Sequence, residues 1–191
     1  IILLIKEIAI GLSAGLILTI WFSAASLAGE KIASTSGLAF AAQVDPNTGS
    51  STPVISQILL LFLLVIFLAI DGHLIVLRTI LDSYEYIRID SIPTLDILIK
   101  TGIGAAGSMF LAATIIMLPV SVLLLMVNVS IGVMTRSAPT LNLFSFGFPI
   151  TLLGTFIFLY FSVSSIGFAM SDLVEAAITS MQDMIWGISY G

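Results

Sequence analysis

Residues 101–135 run for 35 positions without a charged side chain. Folded as one helix, at a rise of about 1.5 Å per residue, the stretch outruns the roughly 30 Å of a bilayer core. Pro119 lies inside it. An internal proline removes one backbone hydrogen bond and kinks a helix, at about 3 kcal/mol unless neighbours compensate. Length alone allows one kinked helix or two shorter ones. No cluster of polar turn residues accompanies Pro119, which favours a single helix bent there. Gly102, Gly104 and Gly107 open the run, and Asp96 falls in the first turn of the same helix, where the macrodipole favours an acid.

Other segments repeat this pattern. Between Glu7 and Glu30 lie 22 uncharged residues, 8–29, about 33 Å of helix. Gly11 and Gly15 stand in G-x-x-x-G spacing, and Ala24, Ala25 and Ala28 keep the helix slim further on. In an apolar setting small residues let backbones approach closely. Residues 54–70 are apolar apart from Ser56 and Gln57. A helical pattern then continues past Asp71, Gly72, His73, Arg78, Asp82 and Glu85 to end near Ile87. Taken as one helix, 54–87 would span about 51 Å. Arg78 with Asp82, and Glu85 with Asp82 or Arg88, sit at helical neighbour spacing. A second long uncharged run covers 144–171, with Gly147 and Pro149 near its start. After it, 172–186 reads as a separate amphipathic helix. Its Leu173, Ala176, Ala177, Met181, Met184 and Ile185 would face inward, and Asp172, Glu175 and Asp183 outward. The expected fold is all-α: one helical domain over 1–191, built of long, kinked, hydrophobic hairpins.

Composition supports a chain that lives in or against lipid. Hydrophobic residues make up 59% and charged residues 9%, against roughly 45–50% and about 25% in soluble domains. Acids outnumber bases 11 to 6, which argues against nucleic acid as a partner. The chain has no cysteine, so disulfides and thiolate metal sites are excluded. It begins with Ile1 and enters an apolar helix at once, which leads us to expect a missing N-terminal portion. That first apolar run is too long for a signal-peptide core. Lys6, Arg78, Arg88 and Lys100 fall on one side of the spans, Lys31 and Arg136 on the other. The positive-inside rule then directs the first group to the cytoplasm.

The segment joining the first two apolar runs is unusual. Residues 37–53 read GLAFAAQVDPNTGSSTP, small and apolar through Gly37, Leu38, Ala39, Phe40, Ala41 and Ala42, then rich in turn formers. Val44, Asp45, Pro46, Asn47, Gly49 and Pro53 supply the second half. Connections of this length without secondary structure of their own tend to be functional or disordered. A phenylalanine in an apolar half argues against disorder. The segment, which we bound at 34–53, is therefore expected to be a loop buried inside a larger assembly.

Catalytic chemistry has little to work with. His73 is the sole histidine, so no histidine-rich metal site is available. Asp71 and His73 are two residues apart and would not face each other on a helix. The plain reading is a polar helix segment satisfied locally; a proton relay through the pair is the sharper one, since ionisable groups within membranes are functional candidates. Arg136, beside Thr135, Ser137 and Pro139, is expected at a helix end or against a partner's carbonyls. No catalytic residue, metal or cofactor is assigned.

Several short stretches together resemble the FliR family of the flagellar export apparatus and its injectisome counterparts. They are Lys6-Glu7-Ile8 with Gly11 and Gly15; Ala28-Gly29-Glu30; Gly37 to Ala41 followed by Val44-Asp45-Pro46; Pro53-Val54; Asp71-Gly72-His73; Asn128 with Gly132 and Arg136; Ala138-Pro139; Leu141-Asn142; and Phe144 with Gly147-Phe148-Pro149. They occur in the family's order along the whole chain, and the Val-Asp-Pro loop is of the flagellar kind. The resemblance implies a non-enzymatic, single-copy subunit of a helical export gate in the bacterial inner membrane, at the flagellar basal body. Its implied partners are FliP and FliQ, with FlhB on the cytoplasmic side, membrane lipid around the assembly, and unfolded flagellar proteins as cargo. The family's loop matching 37–53 plugs the conduit. The competing class is a secondary transporter or ion channel, which would place ionisable groups at its broken helices; Pro119 has none beside it.

Overall fold

The computed structural model describes residues 2–37, 53–86, 95–137 and 146–190, and all of the elements among them are helical. In chain order they are α1 (Ile2–Thr35), α2 (Val54–Ala69), α3 (Gly72–Tyr86), α4 (Leu95–Ser137) and α5 (Phe148–Tyr190). Helices α4 and α5 have 43 residues each, or about 64 Å, twice a bilayer core. Helices α1, α4 and α5 are long and apolar enough to cross a membrane, and α2 with α3 forms a bent fourth candidate.

Two of the sequence expectations are corrected. The 54–87 segment is not one helix but two, meeting at an angle of 64°. The break is local chemistry. Asp71 takes a positive φ of 57°, a region that aspartate tolerates better than most residues. Its N–H donates to the Leu68 carbonyl at 3.2 Å, closing α2 with a tightened turn, while its own carbonyl accepts from Leu74 and Ile75 at 2.9 and 3.1 Å and opens α3. Hydrophobic periodicity continues across the break, so periodicity alone missed it. The second correction concerns 172–186, which is no separate helix but belongs to α5, unbroken from Phe148. Ser171-Asp172 contains no helix breaker, and Asp172 simply faces outward. Helix α4 runs through Pro119 as one element, as expected. Pro149 sits in the first turn of α5, where its missing N–H costs nothing.

The chain divides into two compact units. The first gathers Ile1–Ala24, Phe62–Ala112 and Met170–Gly191. Its core draws Ile10, Ala14, Ile17 and Trp21 from α1, Leu63 from α2 and Ala105 from α4. Helix α5 adds a stripe at helical spacing through Met170, Leu173, Val174, Ala177, Met181, Met184 and Ile188. Asp172, Glu175 and Asp183 are exposed, as the amphipathic pattern requires. Phe22 and Phe67 meet edge to face in this unit, ring centroids 5.2 Å apart.

The second unit comprises Ala25–Leu61 and Ala113–Ala169. Ala25, Ala28, Ile32 and Ala33 of α1 are buried with Ile55 and Leu59 of α2 and with Ile116, Val120 and Leu124 of α4. Across both units much of the remaining helix surface is apolar and exposed. Phe110, Leu111 and Met126 on α4, and Tyr160, Phe161 and Phe168 on α5, are each more than half exposed. Apolar area on that scale marks a membrane or a protein interface.

Candidate functional site

The most constructed feature of the second unit is the end of α1, from which the 38–52 segment departs. Ser36 N–H donates to the Ile32 carbonyl at 2.9 Å, and Gly37 N–H to that of Ser34 at 3.3 Å. Gly37 lies at φ +80°, a left-handed helix stop that glycine adopts without penalty. Ser34 and Thr35 therefore belong to the helix, not to the loop bounded at 34–53 from sequence. A Cβ on Gly37 would touch the Phe148 ring of α5 at 3.4 Å.

Two other helices supply donors to this terminus. Asn128 of α4 donates from Nδ2 to the Thr35 carbonyl at 3.0 Å. Thr151 of α5, buried, has its hydroxyl 3.2 Å from the Ser36 carbonyl and also 3.1 and 3.0 Å from those of Gly147 and Phe148. A hydroxyl has one hydrogen, so these three acceptors share it. Thr155, fully buried, donates to the Thr151 carbonyl at 2.7 Å. At the far end of the segment the Pro53 carbonyl accepts from Gln57 N–H at 3.3 Å and starts α2. One turn on, Ser56 donates from Oγ to the Ser26 carbonyl of α1 at 3.0 Å. Both ends of the connection thus rest on α1, α2, α4 and α5 of one unit. Leu38, Ala39, Phe40, Ala41, Ala42, Val44, Asp45, Pro46 and also Pro139 lie outside the described residues.

The other sequence candidates are placed apart from this. Gly11 and Gly15 are exposed, and nothing in the described chain comes within 4 Å of a Cβ built on either. Their line continues through Thr19 and Ser23, whose hydroxyls bond back to Gly15 and Thr19 carbonyls at 2.8 and 2.7 Å. Asp71 is exposed at the α2–α3 break, and Gly72 is buried beneath Phe67. His73 is half-buried, with Nδ1 enclosed and lacking a hydrogen-bond partner among the described residues. Arg136 is exposed in the last turn of α4, where a cation suits the helix dipole. Arg78 and Asp82 form the expected pair at 3.6 Å, a surface contact of small energetic weight.

Sequence reading missed a small polar recess in the first unit. Thr79, Asp82, Ser83, Gln182, Ile185 and Trp186 line a cavity of about 50 Å³, and Gln182 donates to the Thr79 hydroxyl at 3.3 Å across it. The volume suits one or two waters, not a substrate. No group of three His, Cys, Asp or Glu able to hold a metal occurs among the described residues. Thr151 was also missed: a lone threonine in an apolar run offers only the weak signal that a buried hydroxyl needs a partner.

Comparison with known proteins gives one consistent result. Residues 1–177 match the family described as bacterial export proteins, family 1. The flagellar biosynthetic protein FliR of Pectobacterium carotovorum subsp. carotovorum is 37% identical over 150 residues, covering 78% of this chain and 58% of that protein. FliR of Escherichia coli K12 is 35% identical over 151 residues, with the same coverage of 78% and 58%. FliR of Bacillus subtilis 168 is 30% identical over 183 residues, 94% of this chain and 71% of that protein. The chain thus spans less than two thirds of the length of the first two relatives.

Proposed function

We propose, for a chain that belongs to bacterial export proteins family 1 and within it to the FliR proteins, the role of a conduit-forming subunit of the flagellar protein export gate. The chain is a membrane protein of a flagellar export family, not of an enzyme family. In our reading it assembles with FliP and FliQ in the bacterial inner membrane at the flagellar basal body, with FlhB on the cytoplasmic side. Unfolded flagellar proteins are the cargo.

The observation that carries this reading is helix length. A helix sized to cross a bilayer needs about 20 residues, and α4 and α5 have 43 each. Helices that line a protein conduit need not match membrane thickness, and their outward apolar faces are then available to unlike neighbouring subunits as well as to lipid. The exposed Gly11 and Gly15 line suits such close helix–helix contact.

Residues 37–53 act as the plug of the conduit. A passage wide enough for an unfolded chain leaks ions when idle unless something fills it. Leu38 and Phe40 supply apolar bulk, while the glycine and alanines around them add little buried area. Burying a leucine or phenylalanine is worth about 1.5–3 kcal/mol each, enough to hold the segment without making it irreversible. The prolines at 46 and 53 limit the backbone freedom of the segment's second half.

The test is ion conductance of the assembled gate in a membrane. Deleting residues 38–42, which leaves the Gly37 terminus of α1 in place, or making L38S/F40S, should raise idle leak while assembly is retained. Unchanged conductance in an intact complex would reject the plug.

A further inference from the structure

Asn128 stands in the sequence beside Gly132 and Arg136, and nothing in the proposed conduit role requires it. Its position explains it. Half-buried on α4, it aims Nδ2 at the Thr35 carbonyl, 3.0 Å away. That carbonyl only accepts hydrogen bonds, which fixes the amide with its nitrogen toward α1. The next carbonyl along, that of Ser36, faces the Thr151 hydroxyl of α5 at 3.2 Å. The last carbonyls of a helix have no partner within it, and when enclosed they need donors from elsewhere. Here two neighbouring helices provide them.

We infer that Asn128 and Thr151 form a latch on the C-terminal carbonyls of α1 and so fix the direction in which the chain leaves that helix. Neither side chain touches cargo in this account; both are positioning residues. Apolar packing alone could not fix the direction. Ile32 and Ala33 are fully buried one turn earlier, and such contacts hold the helix body yet leave the last turn free to fray. Phe148 closes the third side, 3.4 Å from where a Gly37 Cβ would be. The functional consequence rests on the plug reading above; the structural one does not.

The two are separated by two readouts on the full-length protein in its assembled gate. The first is amide hydrogen exchange at Ser36 and Gly37, whose N–H groups bond to Ile32 and Ser34. Asn128→Leu keeps the branching and heavy-atom count, though not the smaller volume, and loses the donor; Thr151→Val keeps the shape and loses the donor. Asn128→Leu should speed exchange at these two amides by about fivefold, the weight of one hydrogen bond, and Thr151→Val by less, since its one hydrogen is shared among three carbonyls. Exchange between Gly11 and Thr19 should stay unchanged. Thr151→Ser retains the hydroxyl and should exchange like the parent. Parental exchange in both N128L and T151V would overturn the latch, and so would equal loss of protection in T151S and T151V. The second readout is idle conductance, measured beside the 38–42 deletion. Raised leak in N128L/T151V supports the functional consequence. Leak in the deletion alone overturns that consequence. No leak in either, with faster exchange in the latch variants, rejects the plug and supports the latch.

Discussion

Replacing Gly29 by alanine is expected to destabilise the protein by about 3 kcal/mol or more, the upper end of overpacking costs. At an open helix position the same change gains about 1 kcal/mol, because alanine is the better helix former. The sign reverses at Gly29 because α1 and α2 meet there backbone to backbone. A Cβ on Gly29 would fall against the Cα of Ser56, 2.6 Å from its nitrogen and 3.0 Å from the carbonyl carbon of Ile55. None of these atoms belongs to a side chain that can rotate away. The helices would have to separate, and Ala25, Ala28 and Ile32, all fully buried around the contact, would lose packing with them. The Ser56–Ser26 hydrogen bond would stretch as well. Thermal unfolding of the purified protein should show a midpoint lowered by roughly 6–12 °C. A midpoint at or above that of the parent would mean that α1 and α2 do not touch at this point.

The second large effect is expected at the α2–α3 break. Gly72→Ala should cost about 1–3 kcal/mol, since its Cβ would lie 2.5 and 2.6 Å from the Phe67 ring and 2.9 Å from the Phe67 carbonyl oxygen. The ring cannot simply swing aside, because it is held edge-on against Phe22 of α1. Phe67→Ala alone also destabilises, by removing that contact. In the double variant the ring clash is gone, so the combined loss should fall short of the sum by about 0.5–3 kcal/mol. Strict additivity in a double-mutant cycle would show that Phe67 does not cover Gly72, and with it that the bend is not packed as described.

Much of this architecture is legible in the residues, for physical reasons that also explain the misses. Long uncharged runs announce α1, α4 and α5, because no other element satisfies so many backbone groups in an apolar setting. The inward stripe from Leu173 to Ile185 follows from helical periodicity and matches the buried set except at Ala176, which is only half-buried. Asp71-Gly72 was readable only as a motif, since the apolar pattern of 54–87 continues through it while a single positive φ turns the chain by 64°. Ser171-Asp172 is the opposite case: the character changes there from apolar to amphipathic, which suggests a boundary, although nothing at that point breaks a helix. Contacts distant in sequence were the least legible. Gly29 against Ser56, Asn128 with Thr35 and Thr151 near Ser36 depend on which helices become neighbours, and one chain's residue pattern does not state that.

The central claim, that this chain is one subunit of a conduit built from unlike helical proteins, is tested most directly by the native mass of the complex purified through a tag on this chain. We expect an assembly much heavier than the chain's own 20.3 kDa, dissociating into a single copy of it and several copies of different helical membrane proteins. A mass equal to the monomer, or to an integral multiple of this chain alone, would contradict the claim and favour a self-contained transporter or channel.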